Sequence, residues 1–196
     1  MKKILTILVL VTVIPACIFA GSVLGLTAGI TGAYQKAELG EATEGKIDVE
    51  NLKWEDFKFG ADVDVKVLFV NVNAKGFIAE NTDDDFVING IVSVNLCADL
   101  EYVRLKAGLG YQYSYNTKKE TGSFGRNANY FEDYEDACFD IYTGLDVVLG
   151  PIVIGAYATL PTGVSIGEGN WNEIFSTIEE NWRSAQIGVS LGFALL

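Results

Sequence analysis

Apolar and polar residues alternate without a break through FGADVDVKVLF, residues 59–69. Strand side chains point to opposite faces with a period of two. Phe59, Ala61, Val63, Val65, Val67 and Phe69 therefore share one face, and Asp62, Asp64 and Lys66 share the other. The same period recurs in seven further stretches. In 21–34, Leu24, Leu26, Ala28, Ile30 and Tyr34 oppose Gly25, Thr27, Gly29 and Thr31. In 71–79, Val72, Ala74 and Ile78 oppose Asn71, Asn73 and Lys75. In 86–98, Phe86, Ile88, Val92, Val94 and Leu96 oppose Asn89, Ser93, Asn95 and Cys97. In 102–115, Val103, Leu105, Ala107, Leu109, Tyr111 and Tyr113 oppose Arg104, Lys106, Gly108, Gly110, Gln112 and Ser114. In 138–149, Phe139, Ile141, Leu145 and Val147 oppose Asp140, Tyr142, Gly144 and Asp146. Residues 152–160 set Ile152, Ile154, Ala156 and Ala158 against Gly155, Tyr157 and Thr159. Residues 184–195 set Ala185, Ile187, Val189, Leu191 and Phe193 against Gln186, Gly188, Ser190 and Gly192. The pattern predicts eight strands, with one short helix-period segment, WNEIFSTIEENW (171–182), competing.

The connections alternate in length. Long polar segments cover 35–56, 116–136 and 161–183, with a short ENTDDD link at 80–85, while tight turns are expected near 69–70, 99–100 and 150–151. A two-residue hairpin must exchange even for odd inward positions, and all three turns obey this parity. Phe69-Val70 is poor turn chemistry.

Alternation fits two opposite architectures. A soluble lipocalin-type barrel points its apolar face inward. A membrane barrel points it outward and fills a small interior with polar side chains. Strands near ten residues or longer suit a tilted membrane crossing, whereas soluble strands are commonly five or six. The polar face carries Gly25, Gly29, Gly108, Gly110, Gly188 and Gly192, small enough for a crowded eight-stranded lumen. Aromatics mark the ends of the apolar face: Tyr34, Phe57, Phe59, Phe86, Tyr113, Tyr115 and Phe139 at the loop end, Phe69 and Phe193 at the turn end. Interfacial girdles are built this way.

Near the C-terminus, Gln186, Gly188, Leu191 and Phe193 follow a polar–x–Gly–x–x–apolar–x–aromatic spacing. This resembles the signal read by the barrel-assembly machinery, although the chain continues with Ala194-Leu195-Leu196. Residues 21–196 as a whole resemble the small eight-stranded bacterial outer-membrane barrels, the OmpA-barrel, opacity-type and OmpW-like group. The resemblance implies an all-β, antiparallel up-and-down barrel in contact with outer-membrane lipid, a monomer with surface-exposed loops.

On that reading Asp62, Asp64 and Lys66 face the lumen, together with Lys75, Arg104, Lys106, Asp140 and Asp146. An unpaired charge there costs several kcal/mol, so ion pairing is expected. A first turn centred on 69–70 sets Asp64 opposite Lys75, and Arg104 and Lys106 are expected to meet Asp146.

Composition narrows the chemistry. The chain has 196 residues and no histidine, which removes imidazole bases, Ser-His and Cys-His dyads and histidine metal ligands. Lipid A deacylases and acyltransferases of this architecture look for a catalytic histidine, so no enzyme is expected. A net charge of −12 excludes a nucleic-acid partner. MKKILTILVLVTVIPACIFAGS reads as an export signal with cleavage after Ala20, leaving one domain over 21–196. IPAC offers a rival lipoprotein cut at Cys17. ENTDDD and FEDYEDACFD (131–140) lack the EF-hand spacing and read as solvated acidic loops, so neither a metal nor any other cofactor is expected. Cys97 and Cys138 sit at opposite ends of the barrel, too far apart for a disulfide. Trp171, Phe175, Ile178 and Trp182 recur at helical spacing in the last long loop, as an apolar lid, a binding surface or a membrane anchor. The sequence reads as a non-enzymatic surface-interaction protein of adhesin or receptor type with a plugged lumen. The alternative is a narrow OmpW-like channel for small or hydrophobic solutes.

Overall fold

Each alternating stretch is a β-strand in the computed structural model of the chain, which describes residues 23–34, 57–80, 86–117, 121–126, 129–131, 138–165 and 185–196. The strands are β1 (Leu24–Tyr34), β2 (Phe57–Val67), β3 (Val70–Glu80), β4 (Phe86–Leu100), β5 (Val103–Asn116), β6 (Thr121–Arg126), β7 (Asn129–Phe131), β8 (Cys138–Leu149), β9 (Ile152–Ser165) and β10 (Gln186–Ala194). All pairings are antiparallel, and β1–β5 with β8–β10 close into a ring through the β1–β10, β4–β5 and β5–β8 ladders.

The size of the ring follows from its register. Stepping from partner to partner, Leu24 leads through Val67, Val70, Leu96, Ala107, Thr143, Ala158 and Ile187 to Tyr34. The circuit returns to β1 ten residues higher (34 − 24 = 10). That stagger is roughly 33 Å along the strands against roughly 38 Å around eight of them, which sets a tilt of about 40°. The backbone cylinder is then roughly 16 Å across, so only side chains fit inside.

The eight-stranded barrel with an apolar exterior expected from the sequence is the one observed. Thirty large apolar side chains are exposed among the described residues, while Asp64, Lys66, Lys75, Arg104, Lys106, Asp140 and Asp146 are buried. At roughly 70 Å² each, the thirty expose on the order of 2,000 Å², several times the largest apolar patch of a typical soluble monomer. Tilted rings cap the loop end of this face, Tyr34 with Phe57 at 5.0 Å and Tyr111 with Phe139 at 4.5 Å. Phe69, Tyr102 and Phe193 stand exposed at the turn end. Ten residues separate Phe59 from Phe69 along β2 and its turn. At the tilt above they span roughly 25 Å, the usual height of a barrel's apolar band.

The elements differ from the sequence reading in three places. The connection at 116–136 contains β6 and β7, a hairpin that continues from β5. Strand β9 runs on to Ser165 rather than ending near 160, because β8 carries its pairing past a bulge at Cys138/Asp140. Two of the tight turns move: the central residues are Leu68-Phe69 and Glu101-Tyr102, not 69–70 and 99–100, while Gly150-Pro151 stands as expected. Parity holds in both versions, so alternation alone cannot fix which two residues turn. The first residue of each turn has positive φ: Leu68 at 57°, Glu101 at 53° and Gly150 at 61°. Only glycine takes this conformation freely.

Gly150→Ala is expected to cost about 1 kcal/mol, because an added Cβ meets no neighbour and the loss is purely conformational. Glu101→Gly is expected to gain up to about 1 kcal/mol. Urea unfolding of the two variants checks the opposite signs.

Candidate functional site: the barrel lumen

Five consecutive wall strands, β2, β3, β4, β5 and β8, supply every lumenal charge among the described residues. Strands β9, β10 and β1 face them with Val153, Gly155, Tyr157, Gly188, Ser190, Gly192, Thr27 and Gly29. Long ionised side chains thus reach across the lumen toward a wall that leaves them room.

Asp64 is the hub. One of its carboxylate oxygens accepts from Lys106 Nζ at 2.6 Å and from Asn73 Nδ2 at 3.3 Å, the other from Asn71 Nδ2 at 2.5 Å, and Arg104 Nη1 lies 3.9 Å away. Lys106 also binds Asp146 at 2.7 Å, bridging β2, β5 and β8. Nearer the turn end, Asp99 accepts from Arg104 Nε at 2.7 Å and from Lys66. Nearer the loop end, Lys75 binds Asp62 at 2.6 Å, and Asn73 Nδ2 donates to the second oxygen of Asp62 at 2.7 Å. The connected set therefore holds four cations, Lys66, Lys75, Arg104 and Lys106, and four carboxylates, Asp62, Asp64, Asp99 and Asp146. Asp140 lies one layer further toward the loops, accepting from Gln112 Nε2 at 2.7 Å.

The register corrects one pairing read from the sequence. Lys75 stands opposite Asp62, and Asp64 opposite Asn73, because the first turn is centred one residue earlier than 69–70. Lys106 meets Asp146 as expected, while Arg104, opposite Asp146 in the register, turns its guanidinium to Asp99 and approaches Asp64. The sequence reading missed Asp99 because it placed that residue in a turn, whereas β4 runs to Leu100 and Asp99 lies opposite Arg104. A strand two residues longer, with Cys97 and Asp99 on the same parity, was the available signal.

Above the ion pairs the filling turns apolar. Ala33, Phe77, Ile91, Tyr142 and Tyr157 form a buried cluster, with the two tyrosine rings stacked at 5.9 Å. Lys75 Nζ sits 4.3 Å over the Tyr157 ring and joins the two layers. Tyr157 Oη and Thr31 Oγ1 are hydrogen-bonded at 3.2 Å. Phe77 and Ile91 are apolar residues at odd, inward-facing positions, an exception to the alternation that the sequence reading did not use. A cavity of about 10 Å³ lies between Asp62, Asp64, Lys106 and Asp146 on one side and Gly29, Ser190 and Gly192 on the other. That is room for about one water molecule.

In the C-terminal motif, Gln186 and Gly188 face the lumen, while Leu191 and Phe193 are exposed. A Cβ on Gly188 would overlap the Tyr157 ring, and one on Gly29 would overlap the backbone of Leu191. Gly188 therefore has a packing reason to be glycine, whatever reads the motif. No disulfide joins Cys97, near the turn end, to Cys138, at the loop end of its strand. Trp171, Phe175, Ile178 and Trp182 lie outside the described residues. Among the described residues no group of three or more His, Cys, Asp or Glu is placed to hold a metal ion.

The fold and the lumen define a closed eight-stranded β-barrel that is apolar outside and ion-paired within. No protein family and no curated protein matches the sequence. Among solved structures, the chain is similar to Ail, the attachment invasion locus protein of Yersinia pestis, in complex with the heparin analogue sucrose octasulfate. That similarity has 13% identity over 87% of this chain and 95% of the other, with a TM-score of 0.39. It is also similar to Neisserial surface protein A, at 9% identity over 88% of this chain and 96% of the other, with a TM-score of 0.40. At these values the description of the fold rests on the strand ladders themselves.

Asp64→Ala is expected to cost roughly 3–5 kcal/mol, since it removes one of the two carboxylates that hold the buried Lys106 and takes the close acceptor from Asn71 Nδ2. Arg104→Leu is expected to cost less, because Asp99 keeps Lys66 and Asp64 keeps Lys106. Urea midpoints in detergent rank the two, and equal midpoints contradict the hub. Gly188→Val is expected to lose roughly 1–3 kcal/mol by overpacking against Tyr157. That loss is expected in protein refolded from urea with no assembly machinery present.

Proposed function

We propose that the protein is a bacterial outer-membrane barrel, exported with a signal at 1–20 that is then removed, and that its function is carried by the loop end rather than by a pore. It acts as a monomeric, non-enzymatic surface-interaction protein of adhesin or receptor type. The apolar exterior and its aromatic borders, roughly 25 Å apart, support membrane placement. Gln186, Gly188, Leu191 and Phe193 serve the assembly machinery on this reading.

The observation that carries the functional reading is Lys106, held between Asp64 at 2.6 Å and Asp146 at 2.7 Å in the middle of the lumen. With the neighbouring pairs it leaves room for about one water molecule, whereas an ion crosses a wide pore with several. A barrel with no conducting path keeps its variable chemistry in the segments that leave the membrane.

The four loop-end connections, 35–56, 81–85, 117–137 and 166–185, hold 19 acidic and 7 basic residues (7 − 19 = −12). Such a surface attracts a basic partner and repels a polyanion. The ligand seen with Ail, a heparin analogue, has the wrong sign for this chain.

In planar bilayers the purified protein is expected to show no discrete conductance steps. Stable unitary openings would overturn the plugged lumen and favour the narrow-channel reading. At physiological salt the protein is expected to flow through heparin resin, and retention would overturn the charge argument. Heat-modifiable gel migration together with outer-membrane fractionation tests the placement itself.

A further inference from the structure

The turn end of the barrel is unlike a water-facing set of hairpins. Leu68 (48% exposed) and Phe69 (40%) form the first turn, and Leu195 (60%) and Leu196 (70%) follow the last strand. Leu68 donates its N–H to Val23 O, and Leu195 donates its own to Leu26 O, so these residues gather around the ends of β10, β1 and β2. The six central turn residues, Leu68-Phe69, Glu101-Tyr102 and Gly150-Pro151, include one formal charge, Glu101. Asp99, two residues before Glu101, is turned into the lumen onto Arg104 and Lys66.

The turn backbone points the same way. Phe69 O accepts from Cys97 N at 2.8 Å, Tyr102 O from Val148 N at 2.8 Å, and Pro151 O from Ala194 N at 2.8 Å. In every turn the second residue's carbonyl is bonded to the next strand of the ring, as though the ladder ran on through the tips. Water would satisfy these groups at no cost, whereas an apolar medium requires the protein to do so. Leucine at a positive φ belongs to the same picture. Asparagine or glycine relieves the backbone at Leu68, but asparagine presents an amide to its surroundings.

We propose that the side of the turn end formed by Val23, Leu68, Phe69, Leu195 and Leu196 is seated in the phospholipid leaflet, its tips contacting acyl chains rather than periplasmic water. This surface continues the apolar band and rests on the outer-membrane reading above. Its occupant is lipid.

Single cysteines at Leu68, Leu195, Val65 and Thr117, in a Cys97→Ala/Cys138→Ala background of the signal-free chain, carry an environment-sensitive fluorophore in phosphatidylcholine–phosphatidylglycerol vesicles. Val65 is the lipid-facing reference and Thr117 the aqueous one. The Leu68 and Leu195 probes are expected to be quenched by acyl-chain-brominated lipid to within about twofold of Val65 and to resist aqueous iodide. Iodide quenching equal to that of Thr117, with Val65 still in lipid, overturns the proposal and leaves the site free for water or a periplasmic protein. Iodide quenching of Val65 overturns the membrane reading instead. Independently, Leu68→Asn is expected to lower the urea midpoint in vesicles. A raised midpoint, the result for a turn strained in water, overturns the proposal.

Discussion

Eight strands staggered by ten residues enclose a cylinder too narrow to hydrate a charge, and the rest of the molecule answers to that limit. The ionised groups inside must be satisfied by the protein rather than by water, Asp140 by the amide of Gln112 and the others by counter-charges. Asp64 accordingly gathers Lys106, Arg104, Asn71 and Asn73, and Asp99 gathers Arg104 and Lys66. The same shortage of space explains the glycines of the facing wall. Where Tyr157 fills the bore, the neighbouring position on β10 has no side chain at all. Ion pairs buried this way are weak contributors to stability compared with an apolar filling. Their use here is to keep the interior polar while the exterior is apolar, so that the sheet has one defined inside.

Charge is partitioned along the axis. The lumenal network balances four cations with four carboxylates, so the acidity of the chain belongs to its loop-end connections. The paired network is neutral in itself, and the acidic excess of the sequence falls in the segments that join the strands at one end. A buried tyrosine–phenylalanine–isoleucine layer lies above the ion pairs, so two unlike fillings follow one another along the axis.

Much of the fold was legible because a period of two, sustained over ten or more residues, has few competing explanations. The polarity of the faces was legible too, from glycines on the polar side and aromatics at the strand ends. Turn positions were not. Parity is blind to a shift of a turn's centre by whole residues, one at the first turn and two at the second, and neither Leu68-Phe69 nor Glu101-Tyr102 carries a turn signature. That single ambiguity propagated into the lumen: it paired Lys75 with the wrong aspartate and hid Asp99 in a turn. The β6–β7 hairpin escaped because TGSFGR and NYF are too short to show a period. The apolar layer was visible as Phe77 and Ile91 on the polar parity, exceptions that alternation counting averages away.

The lumenal charges come from strands that follow one another in the chain, and the strands that shut the cylinder bring none. Across the seam where β1 meets β10, the apposed residues are Gly29 with Gly192, Thr31 with Ser190 and Ala33 with Gly188. When the two chain ends come together, no ammonium or carboxylate must shed its water and locate a mate in the last gap. The electrostatic bookkeeping can be settled on an open sheet, and the final act of closure is left to backbone hydrogen bonds and small side chains.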